Sequence, residues 1–108
     1  MTVNQLATKY AFSVVTMPEG EKIVSGCYVG DLLSWVMGRA KAGNVWVTIM
    51  SNLNVVAVAS LVDVSCVILA EGVTLDKEIV DMAVEKGVNI LSSSKTAFET
   101  LKDIASEL

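Results

Sequence analysis

The chain has 108 residues, 53% of them hydrophobic, with twelve acidic and eight basic side chains and a net charge of -4. Its size and apolar content fit one domain over residues 1–108, and its scattered Lys and Arg exclude nucleic acid as a partner, since neutralising phosphates takes a concentrated basic patch. Apolar runs break well before the ~20 residues that span a bilayer, so no membrane partner is expected; the mean hydropathy of +0.58 instead suggests surface covered by a second copy or another partner.

In chain order, Thr2-x-x-Gln5 has the form of a capping box, with Val3, Leu6, Ala7 and Tyr10 on one helical face behind it. Residues 12–17 are β-prone, Pro18-Glu19-Gly20 signals a turn, and residues 22–28 form a second extended segment, as a hairpin or a sheet edge. Gly30-Asp31 introduces a helix carrying Leu32, Leu33, Val36 and Met37, with Asp31 suited to its N-terminus as cap and as negative charge on the dipole. Gly38 and Gly43 bracket its end. Residues 44–50 read as a central strand stopped by Ser51-Asn52. Trp35 and Trp46, among apolar neighbours, are expected in the core.

Residues 54–63 are compatible with strand or helix. A helix is favoured because two parallel strands need a crossover between them, and this one is apolar on nearly every side. A homodimer interface is therefore expected on this helix or just before it, at Leu53, Val55, Val58 and Val62.

Residues 64–94 read as a βαβ unit. Val67, Ile68 and Leu69 form a continuous apolar run, as in a strand covered on both faces, and residues 88–91 repeat it. Between them Leu75, Ile79, Met82, Ala83 and Lys86 follow one helical face, with Thr74 as its cap, Asp76 and Glu78 in its first turn and Gly87 past its end. Ser93 or Ser94 caps a last helix with Phe98, Leu101, Ile104, Ala105 and Leu108 on one stripe. The expected fold class is α/β, a single domain with a mainly parallel sheet and flanking helices.

In such a sheet, ligands bind beyond the carboxyl ends of the strands. Those ends are Ser51-Asn52, Glu71-Gly72 and Ser92-Ser93-Ser94, the last next to Lys95 and to a helix N-terminus with free N–H groups. A nucleotide or other anion is the ligand class expected there. No catalytic set emerges. The sequence contains no His, so Cys27 and Cys66 supply neither a zinc site nor a Cys–His pair; no metal or cofactor is expected. Gly26-x-x-x-Gly30 lacks the Lys of a P-loop, and Glu71 with Asp63 or Asp76 reads as loop charge and caps. Two reduced thiols and no basic-then-apolar leader give a cytoplasmic expectation.

Over residues 23–104 the chain resembles the DRTGG domain family. The resemblance rests on Gly26-x-x-Val29-Gly30-Asp31, the strand over 45–50, the Ala-rich helix over 56–61, the strand 67–70 ending in Glu71-Gly72, Ala83-x-x-Lys86-Gly87-Val88-x-Ile90-Leu91, and Thr96-x-Phe98-Glu99-Thr100. In one place it departs: where the family usually carries a Gly-Asp-Arg-like segment, this chain has Ser51-Asn52-Leu53-Asn54. The family is fused to CBS-domain pyrophosphatases and phosphotransacetylases and resembles the HPr kinase N-terminal fold. The resemblance implies a regulatory, dimer-forming, non-catalytic module with a partner enzyme or signalling protein. The alternative is a small phosphate-handling enzyme or an accessory protein of an anaerobic redox system.

Overall fold

A computed structural model describes residues 1–108. The chain runs α1 (Val3–Lys9), β1 (Ser13–Thr16), β2 (Cys27–Val29), α2 (Leu33–Arg39), β3 (Val45–Thr48), α3 (Leu53–Val62), β4 (Cys66–Leu69), α4 (Lys77–Glu85), β5 (Ile90–Ser92) and α5 (Ala97–Ile104), closing in a 3-10 turn, Ala105–Glu107. One sheet of order β1-β5-β4-β3-β2 holds all five strands. β2 to β5 are parallel and β1 joins β5 antiparallel. The α/β class with a mainly parallel sheet is therefore as expected.

Each crossover steps to the next strand in the same direction, so crossovers of one hand place α2, α3 and α4 on one face. Alternation along the strands builds a core on each side. Trp46, Val67, Leu69 and Ile90 meet Val36, Val56, Ile79 and Ala83, whereas Val45, Val47, Ile68 and Leu91 meet Val3, Leu6 and Ile104 from α1 and α5. The apolar run of β4 is buried on both faces. Gly87 ends α4 as expected, with φ +72 and a bond from Val88 N–H back to the Ala83 carbonyl at 2.8 Å, which completes a left-handed helix stop.

Several local expectations are corrected. Of the hairpin and the sheet edge, the structure has the edge: β1 and β2 lie on opposite edges of the sheet, and the segment between them is tied to the start of the chain by Val3 N–H to Lys22 O and Val24 N–H to Met1 O. The Thr2–Gln5 capping box forms, but Asp31 does not cap α2, which starts after Leu32. Thr74 does not cap α4, whose flanking residue is Asp76. The last helix is capped by Thr96, through a box with Glu99, and not by Ser93 or Ser94.

Residues 53–62 are helical, as the crossover requires. The partner-facing residues expected there are corrected: Val55 and Val58 are core residues, and Val62 packs against the same core. α3 is flanked by α2 and α4, so its apolar sides are used within the chain. Of the four, Leu53 alone is exposed. Trp46 is fully buried, with Nε1 donating to Gly30 O at 2.9 Å. Trp35 lies 51% exposed on α2, against expectation.

Candidate functional site

Parallel strands put the carboxyl ends of β2, β3, β4 and β5 on one rim. At β2 the turn is held by Asp31, whose Oδ1 accepts from Thr48 Oγ1 at 2.6 Å and from the Ile49 N–H at 3.1 Å. Thr48 Oγ1 also accepts from the Met50 N–H. Asp31 thus ties the β2–α2 turn to the end of β3, a role that depends on strand register and has no local sequence signal.

After β3, Ser51 is exposed and Asn52 caps α3, its Oδ1 accepting from the Asn54 N–H at 3.0 Å. After β4, Glu71 (φ +58) and Gly72 (φ +69) are both left-handed. Val73 N–H returns to Ala70 O, the pattern of a tight turn with two positive φ values. The next loop is bound to this turn: Glu71 N–H donates to Lys95 O and Gly72 N–H to Ser93 O, each at 2.8 Å.

These bonds change the reading of the serine run. Ser93 is buried, its Oγ 2.9 Å from Thr100 Oγ1, and its N–H is taken by Leu69 O. Lys95 N–H is taken by Ser93 Oγ. Ser92 is half-buried in β5, paired with Ser13, and Ser94 is exposed. Glu71, Gly72, Ser93 and Lys95 are therefore brought together, but by backbone bonds that consume the donors an anion would use. Ser51 and Asn52 do not come from the strand next to Ser93. β4 intervenes, a separation of roughly 10 Å at the usual strand spacing.

Electrostatics weigh the same way. Lys95 Nζ lies 2.6 Å from Asp103, whose carboxylate raises the pKa of the ammonium, so this cation is already paired. Glu99 occupies the first turn of α5, where a bound anion would otherwise be favoured. Asp63 sits at the far end of α3, paired with Lys22, and forms no set with Glu71. No three His, Cys, Asp or Glu side chains cluster to hold a metal. The two surface depressions lie elsewhere. One of about 490 Å³ is lined by Met1, Asn4, Gln5, Thr8 and Lys9, and one of about 330 Å³ by Ala57, Ser60, Leu61, Met82 and Lys86.

The model of the DRTGG domain matches residues 19–106. The chain belongs to the DRTGG domain family. Among solved structures, this DRTGG chain is similar to the CBS and DRTGG domains of the regulatory region of Clostridium perfringens pyrophosphatase, a structure of a complex with the activator diadenosine tetraphosphate. The TM-score is 0.80 at 16% identity, over 99% of this chain and 47% of that one. The likeness is one of fold, and this chain spans about half the length of that neighbour. No curated protein matches the chain. No helix is long and apolar enough to cross a membrane.

Proposed function

We propose that this DRTGG chain is a non-catalytic regulatory module that acts by contact, as a homodimer that can dock on a partner enzyme or signalling protein. One contrast carries the reading. Asp31, Asn52, Ser93 and the N–H groups of Glu71, Gly72 and Lys95 are spent on holding the rim's loops together, while Val29, Leu32, Trp35, Ile49 and Leu53, each about half exposed, belong to its β2–β3 side. An apolar set of this kind marks an interaction surface more often than a reaction site. Family membership supports the regulatory part. Light scattering at micromolar concentration tests the dimer, with twice the chain mass expected; a monomer would set the homodimer aside. Saturable turnover of phosphoesters or nucleoside triphosphates would overturn the non-catalytic part.

A second reading, nucleotide sensing, is favoured by the diadenosine tetraphosphate in the pyrophosphatase complex. On this chain Asp31, Ser51, Asn52, Glu71, Ser94 and Lys95 are exposed polar residues of the rim. Calorimetry with ATP, AMP and dinucleoside polyphosphates tests it, and silence with all of them would leave protein contact as the whole function.

A further inference from the structure

The ten residues of α3 include no charged side chain. A helix that is apolar all round is normally buried all round, and the inward side of α3 obeys that rule, with Val55, Val56, Val58 and Ala59 in the core. The outward side does not. Leu53, Asn54, Ala57, Ser60 and Leu61 are all exposed, Leu61 at 71%, and within the helix Leu53, Ala57 and Leu61 follow one another at every fourth position as one stripe.

α4 supplies a wall beside this stripe. Met82 and Lys86 meet Ala57, Ser60 and Leu61 around the depression of about 330 Å³, so Met82 marks the side of α4 that is turned to α3. Glu78, four residues before Met82, and Glu85, three after it, stand on that same side of the helix, and both are exposed. Neither takes part in the ion pairs of the chain, whereas the Asp81 carboxylate is taken by Lys77. Lys86 lines the depression from the C-terminal end of α4. An uncharged, largely apolar floor thus runs beside two unpaired carboxylates.

We infer that the outward face of α3, with the side of α4 turned to it, docks a basic amphipathic helix of a partner protein, whose apolar stripe lies on Ala57 and Leu61 and whose Lys or Arg side chains face Glu78 and Glu85. This rests on the partner-docking part of the proposed function and is independent of the homodimer. Charge selects the occupant. A helix seated on the floor takes water away from both carboxylates, so cations opposite them are favoured and acidic side chains are rejected. The net charge of -4 steers a basic segment in the same sense. The floor suits the helix-in-groove mode of recognition, in which apolar anchors recur at helical spacing along one face of the bound segment.

The test titrates an amphipathic Leu/Lys peptide of about fourteen residues, long enough to hold a helix, into the isotope-labelled full chain and follows the amide shifts. A Leu/Glu peptide of the same pattern is the counterpart. Saturable shifts over α3 and α4 are expected from the first and none from the second. Leu61→Gln keeps the charge and changes an exposed position, and weakens binding roughly tenfold by removing an apolar anchor. Glu85→Lys weakens it roughly tenfold as well, clearly more than Glu21→Lys, which makes the same change of net charge beside α1. Circular dichroism melts check that all three variants fold. No binding of the Leu/Lys peptide, equal binding of the Leu/Glu peptide, shifts centred on α1 or α5, or equal effects of Glu85→Lys and Glu21→Lys would each overturn this surface. The homodimer, read from mass without peptide, and the non-catalytic reading, read from turnover, would stand in all four cases.

Discussion

Thr48 donates a 2.6 Å hydrogen bond to Asp31, linking the last residue of the inner strand β3 to the turn before α2. Thr48 is 2% exposed, so its hydroxyl has no water to fall back on. Thr48→Val keeps the shape and removes the donor. It should cost about 1–2 kcal/mol in urea unfolding, and in a double-mutant cycle with Asp31→Ala the two losses should be less than additive. Additive losses would mean that the bond contributes little.

Asn89 holds the opposite end of the sheet. Its amide nitrogen donates to Glu19 O and Ser65 O, and its oxygen accepts from the Glu19 N–H, all within 2.9 Å. Asn89→Ala leaves three backbone groups without this partner at a buried position. The expected destabilisation is about 2–3 kcal/mol, read from the midpoint of denaturant unfolding.

Much of the sheet was legible because buried strands and capped helices leave local marks. The apolar run of β4, Gly87 after α4 and the Thr2–Gln5 box each sit within a few residues of what they determine. Which edge each outer strand takes was not legible. β1 is placed by pairing Ser13 with Ser92 and by the Thr16 hydroxyl between Val88 O and Ile90 N–H, contacts more than seventy residues apart in sequence. The α5 cap did have a signal, Thr96-x-x-Glu99, but the nearer serines offered the same chemistry. Trp35 was misjudged for a different reason. α2 carries two apolar stripes, Leu33–Val36–Ala40 and Leu32–Trp35, and periodicity alone cannot say which one faces the core.

The serine run separates a buried residue from an exposed one. Ser93→Ala leaves the Thr100 hydroxyl and the Lys95 N–H without their partner, at about 1–3 kcal/mol. Ser94→Ala, at an exposed position, should stay within about 0.5 kcal/mol. Thermal melts of the two variants check this, and equal effects would contradict the burial of Ser93.

Cys66 makes stability fall at alkaline pH. Burial pushes its thiol from the ordinary 9.0 up to about 12. Between those values the unfolded chain loses the proton and the folded chain keeps it. The stabilisation is therefore fully present below pH 9.0 and is lost progressively as pH rises toward 12, by about 1.4 kcal/mol per pH unit at most. Burial raises the Cys27 thiol as well, to about 11, so the informative quantity is the difference from Cys66→Ala, which should be less stable at neutral pH and show a shallower alkaline decline. Parallel curves would contradict the assignment.

The central claim, that this DRTGG chain works through a contact on its β2–β3 side, is tested most directly by hydrogen–deuterium exchange measured at increasing protein concentration. The account predicts that amides over residues 29–39 gain protection as the dimer forms, while those of α4 and α5 do not change. Exchange over 29–39 that is independent of concentration while the mass doubles, or protection appearing on α4 or α5 instead, would contradict it.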